Sequence, residues 1–158
     1  MKLFALAVLA LPLLAGCATM GSRDLPKNTL IARAWAGHEP PTTTRALTVV
    51  AFASAQVGKP YCWGGTGARC FDCSGLVQTA WRSAGEKVPR TTGDIAHTLQ
   101  EIPAEEVRAG DILWWPGHVG IYTGYGWMVD ALDHRHGVVR RPAKDPYRAF
   151  RPEDTEMR

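Results

Sequence analysis

The chain has 158 residues, with 18 Lys and Arg against 15 Asp and Glu and a formal net charge of +3, part of which is Lys2 at the extreme N-terminus. That length allows one compact domain with a real core. The mild positive balance includes no run of Lys and Arg interleaved with aromatics, so nucleic acid is excluded as the expected partner.

Taken in order, Leu3 to Ala15 form an apolar run broken only by Pro12, too short to span a bilayer and matching the h-region of an export signal. The run ends in Leu14-Ala15-Gly16-Cys17, which resembles the bacterial lipobox, in which the cysteine is lipidated and becomes the first residue. The competing reading is an ordinary secretory signal with a chance cysteine. A lipidated Cys17 implies an exported, membrane-anchored protein. Ala18 stands where an aspartate would resemble an inner-membrane retention signal, so the expected location is the periplasmic face of the outer membrane. The expected division is a signal over residues 1–16, a lipidated start and tether over 17–44, and a domain over 45–158. The tether assignment rests on Gly21, Ser22, Pro26, Pro40, Pro41 and three consecutive threonines.

Thr44 or a neighbour can cap a helix from about Arg45 to Val57, stopped by Gly58 and Pro60. A glycine-rich loop, Pro60-Tyr61-Cys62-Trp63-Gly64-Gly65, follows. Asp72 is a good N-cap for a second helix whose apolar stripe is Leu76, Val77, Ala80, Trp81 and Ala84, ending at Gly85. Cys73 then sits in the first helical turn, where partial positive charge favours a thiolate. A buried structural cysteine is the competing reading. A third short helix is expected from about Gly93 to Leu99. Beyond Pro103 the pattern changes to short β-rich runs at Asp111–Trp115, His118–Thr123 and Trp127–Ala131, with a further strand at Val138–Arg140. Helices first and strands afterwards argue for an α+β domain with an antiparallel sheet. The chain has six tryptophans, and most are expected in the core.

A three-residue hairpin loop, Gly124-Tyr125-Gly126, would pair Thr123 with Trp127 and Gly120 with Asp130. His118 and Asp130 would then share a face as diagonal neighbours, whereas a two-residue turn would separate them. A cysteine nucleophile needs a base, and the base works better when a third polar group holds its tautomer. Cys73, His118 and Asp130 can supply those roles in that chain order.

Several separate motifs carry a family resemblance. Gln56-Val57-Gly58-Lys59-Pro60-Tyr61, Trp63-Gly64-Gly65, Asp72-Cys73-Ser74-Gly75-Leu76-Val77, Pro89-Arg90-Thr91-Thr92, Gly110-Asp111-Ile112 and His118-Val119-Gly120-Ile121-Tyr122 occur in that order. Over about Arg45 to Arg140 the chain resembles the NlpC-type (NlpC and p-sixty) bacterial cell-wall cysteine peptidases. The resemblance implies a papain-like α+β fold, with the cysteine on a helix packed against the strand that carries the histidine. It implies hydrolysis of an amide bond in peptidoglycan stem peptides, typically between γ-D-glutamate and meso-diaminopimelate, with no metal or cofactor. It assigns Cys73 as nucleophile and His118 as base. Tyr61 falls beside the oxyanion position, and Asp72 and Ser74 line the stem-peptide site. The third polar residue of the family is most often histidine, with asparagine or glutamine as variants. Here the matching position is Asp130, and His134 and His136 are nearby competitors.

Cys62 and Cys70 flank the glycine loop, and in an oxidising compartment a disulfide between them is the expectation, with a free pair equally compatible with the spacing. A Cys70–Cys73 pair, and a zinc site from Cys62, Cys70, Cys73 and His118, are the further alternatives. Two other function classes share the pattern: a non-catalytic lipoprotein that binds stem peptides or a partner enzyme, and a murein-degrading toxin. The lipobox argues against the toxin.

Overall fold

A computed structural model describes residues 42–152. The signal, the lipidation site Cys17 and most of the tether expected from the sequence lie outside the described residues. Helix α1 spans Thr44–Ala55, one residue from its expected start, because the Thr43 side chain accepts from the Ala46 amide at 3.2 Å. It buries Ala46, Val49 and Ala53. Helix α2 spans Cys73–Ser83 and α3 spans Thr92–Thr98, the latter capped by Thr91 on the Asp94 amide.

Six strands follow: β1 (Gln100–Ile102), β2 (Ile112–Trp115), β3 (His118–Gly124), β4 (Trp127–Asp133), β5 (Gly137–Pro142) and β6 (Arg148–Arg151). They form one antiparallel sheet in the order β1-β6-β2-β3-β4-β5. The fold is therefore α+β, as the change of periodicity predicts. β1 and β6 were not expected from the sequence. Each is too short for alternation to register, and β6 (Arg148-Ala149-Phe150-Arg151) gains its identity only by inserting between β1 and β2. Its charged ends are held from those neighbours, Arg148 by Glu101 and Arg151 by Asp111.

The helices cover one face of the sheet. There Val49, Leu76 and Val77 pack with Ile112, Val119, Ile121, Val129 and Phe150, all essentially removed from water. The opposite face carries a smaller apolar cluster of Leu113, Tyr122, Met128 and Ala149.

The β3–β4 hairpin corrects the expected loop. Tyr125 (φ 51°) and Gly126 (φ 76°) both have positive φ, which identifies a two-residue type I′ turn closed by Gly124 opposite Trp127. The odd residue is taken up instead by a bulge between Tyr122 and Gly124. Past the bulge, Tyr122 pairs with Met128 and Ile121 with Val129, the same register as the three-residue loop would produce. Continuing that register sets Gly120 opposite Asp130.

The tryptophans also depart from expectation. Trp81 is buried at 2% exposure, but Trp63 on the glycine loop is 88% exposed, and Trp114, Trp115 and Trp127 are only partly covered. Trp114 and Trp115 are adjacent on β2, so they point to opposite faces at the strand's end, where both cores thin out. Trp127 is covered by the Arg140 guanidinium, 4.2 Å from its ring centre.

Candidate active site

Cys73 is the first residue of α2, and Asp72 fixes where that helix begins. The Asp72 carboxylate accepts from the Gly75 amide at 2.6 Å and from the Gly64 amide at 2.8 Å. It thereby ties the glycine loop to the helix start. Gly75 has to be glycine, because a Cβ there would collide with the Gly65 carbonyl oxygen and lie 3.0 Å from Asp72 Oδ1. The loop also runs along Phe71: Cys62 donates its amide to the Phe71 carbonyl at 3.0 Å, and Phe71 donates to Pro60 at 3.1 Å.

Cys62 and Cys70 are joined in a disulfide with Cα atoms 5.6 Å apart, and Cys73 is free and buried. With two of its four donors joined to each other, the zinc alternative loses its ligand set, and Cys70 is no longer available to Cys73.

His118 opens β3, and β4 carries Asp130. His118 Nε2 meets Asp130 Oδ2 at 2.6 Å, and the ring is near enough to Cys73 for the thiolate to raise its pKa. An imidazole has two ring nitrogens, so Nδ1 is the one left for the thiol. Gly120 keeps the ground beneath this contact clear, since a Cβ there would lie 3.0 Å from the Asp130 Cβ and overlap the Met128 methyl. The structure therefore brings Cys73, His118 and Asp130 into one neighbourhood. The Trp115 ring stands 6.1 Å from the His118 ring at a tilt of 37°.

The electrostatics follow from that arrangement. Burial disfavours a charged His118, but hydrogen bonds to Asp130 and Cys73, and their negative charge, outweigh it and push its pKa up to about 9. Burial also opposes a charged Asp130, yet hydrogen bonds from His118 and Arg141 hold it below the usual aspartate value. Tyr61 is raised, first by burial and then by the charge on Cys73 and Asp72, so its hydroxyl keeps its proton.

Of the other residues singled out from sequence, Asp72 and Ser74 are each only 6% exposed. Both Asp72 oxygens are held by Arg90, and Ser74 Oγ accepts from Arg90 Nη1 at 2.9 Å. His134 lies edge-on against the Tyr61 ring at 4.7 Å and His136 bonds Asp133 at 2.8 Å, whereas the residue bonded to His118 is Asp130.

Two arginines were not recognised as part of the site. Arg90 lies within Pro89-Arg90-Thr91-Thr92, a motif whose side-chain target is invisible without the fold. Arg141 on β5 bonds both Asp130 oxygens, Nε to Oδ1 at 2.9 Å and Nη2 to Oδ2 at 2.6 Å. Its only sequence signal is strand register, because Asp130 pairs with Val139 and Arg141 is the next residue on the same face.

Residues 58–151, from the end of the α1 segment to the last strand, match the NlpC/P60 family. The chain belongs to the NlpC/P60 family. Among curated relatives, it is 38% identical over 96 residues to a probable endopeptidase of Corynebacterium glutamicum, covering 59% of this chain and 46% of that protein. It is 43% identical over 84 residues to a probable endopeptidase of Mycobacterium tuberculosis, covering 51% of this chain and 22% of that one. The chain thus spans less than half the length of either relative. The NlpC/p60 domain of the peptidoglycan hydrolase SagA superposes with a TM-score of 0.61 at 29% identity, covering 67% of this chain and 97% of that domain. The NlpC/P60 match takes in the glycine loop, α2, α3 and all six strands, and with them Cys73, His118, Asp130 and Arg141.

Proposed function

We propose that this protein is a lipid-anchored murein endopeptidase that cleaves an amide bond of the stem peptide, between γ-D-glutamate and meso-diaminopimelate, by a Cys-His-Asp thiol mechanism. The observation that carries the reading is His118 bonded to Asp130 and electrostatically coupled to Cys73, the first residue of α2. Membership of the NlpC/P60 family and the SagA likeness support the substrate class.

The chemistry follows from the arrangement. Cys73 gives its proton to His118, and the sulfur attacks the amide carbon. The developing oxyanion is met by the Tyr61 hydroxyl and by the Cys73 amide, one of the first-turn N–H groups that α2 leaves without a helical partner. His118⁺ protonates the leaving amine. Neutral His118 then takes a proton from water as the oxygen adds to the thioester carbon, and Cys73 leaves as thiolate. Each proton-transfer role is worth on the order of 10²–10⁴ in rate.

Lipidation at Cys17 and residence on the periplasmic face of the outer membrane complete the proposal, supported by Leu14-Ala15-Gly16-Cys17 after an apolar run. Purified murein is digested with the protein and with Cys73→Ala, and fragments are identified by mass spectrometry. New diaminopimelate-headed peptides with the intact cysteine alone are expected. Identical digests would overturn the hydrolase reading in favour of a stem-peptide-binding lipoprotein. Incorporation of labelled palmitate that is abolished in Cys17→Ala tests the anchor.

A further inference from the structure

Asp130 is completely buried, yet it meets two cationic side chains. His118 reaches it from β3 and Arg141 from β5, while Cys73 on α2 acts on His118 and has no bond to the carboxylate. Arg141 is itself mostly covered, with 19% of its side chain exposed, and both its bonds end on the one carboxylate.

Such an arrangement has a consequence for proton release. A carboxylate out of water is strongly disfavoured unless a cation is paired with it. If His118 were the only partner, its proton would be required for the charge balance of Asp130, and the two groups would titrate as a unit. The imidazole could not become neutral without leaving a buried, unpaired anion. A permanently charged, two-pronged guanidinium removes that linkage.

We propose that Arg141 is a positioning residue that keeps Asp130 ionised and oriented whether or not His118 is protonated, freeing His118 to release its proton and act as the base of the thioester step. The inference rests on the Cys-His-Asp mechanism above. It extends it to a residue two positions past the one paired with Asp130, on the neighbouring strand. The raised His118 value is consistent with Asp130 remaining charged beneath it.

The test reads the histidine directly and needs no substrate. The ring resonances of His118, assigned with His118→Gln, are titrated by NMR in the wild type, Arg141→Met and Arg141→Lys. Loss of the guanidinium in Arg141→Met is expected to move the His118 midpoint upward by about one pH unit or more. Arg141→Lys, which keeps charge but not the fork, should fall between. In an Asp130→Asn background the Arg141→Met change should move the midpoint less, leaving only the direct repulsion between the two cations. An unchanged or lowered midpoint in Arg141→Met overturns the assignment, as does an equal shift in the Asp130→Asn background. Should Arg141→Met fail to fold, Arg141→Lys carries the same test with a smaller upward shift. Murein left intact by the wild type would sink the hydrolase reading alone, since the ring titration does not depend on it.

Discussion

Arg90 and Asp72 form a two-pronged ion pair across the start of α2, with Nη1 at 3.0 Å from Oδ1 and Nη2 at 2.5 Å from Oδ2. The same carboxylate caps α2 and holds the Gly64 amide, so one arginine from the turn before α3 anchors the helix start that carries Cys73. Arg90→Ala leaves a nearly buried carboxylate without its cation. Because the Arg90 side chain is 34% exposed, a moderate loss of about 1–3 kcal/mol is expected in urea unfolding. Arg90→Lys should fall between, because an ammonium cannot reproduce the fork. A wild-type midpoint in Arg90→Ala would show that water replaces the pair.

Glycine at 75 is required by close approach, not by backbone conformation, since Gly75 is not among the positive-φ residues. Gly75→Ala should destabilise by more than about 2 kcal/mol, because the neighbour is the Gly65 backbone and cannot rotate away. Gly93 in α3 is the control. Its nearest neighbour to an added Cβ is Thr91 Oγ1 at 3.8 Å, so Gly93→Ala should be neutral or stabilise by roughly 0.5–1 kcal/mol. Calorimetry of the two variants checks the contrast, and similar losses in both would refute it.

His118 links stability to pH. Its folded pKa of about 9 lies above its usual 6.5, so the folded state binds its proton more tightly than the unfolded chain. The stabilisation is fully present below about pH 6.5 and is lost as pH rises through about 9. His118→Gln should therefore be less stable than wild type at pH 6, with the gap closing by pH 10. Melting temperatures across that range measure it, and a gap independent of pH would remove the proposed imidazolium.

The disulfide predicts an asymmetry between single and double variants. Cys62→Ser with Cys70→Ser should lose about 2–3 kcal/mol, the chain-entropy value for so short a loop. It should also weaken the hold of Gly64 and Gly65 on Asp72. Cys62→Ser alone frees Cys70, three residues from Cys73, to form the competing pair. It should lose more iodoacetamide-reactive Cys73 under oxidising conditions than the double variant. Equal reactivity would mean that Cys70 cannot reach the helix start.

What the chain alone determined is local or periodic. The Asp72 cap, the placement of Cys73 in a first helical turn and the change from helical to strand periodicity all depend on residues a few positions apart. Such interactions are readable wherever a side chain meets its own backbone. The β3–β4 register stayed open between two loop lengths, and only the folded hairpin shows the I′ turn at Tyr125-Gly126 with a bulge that restores the alignment. Tertiary structure alone decided the rest: that β6 separates β1 from β2, that Arg90 reaches back 18 residues to Asp72, and that Arg141 closes on Asp130. A charged side chain's partner is set by where folding carries it, and nothing in an arginine's neighbours along the chain records which buried carboxylate it will meet.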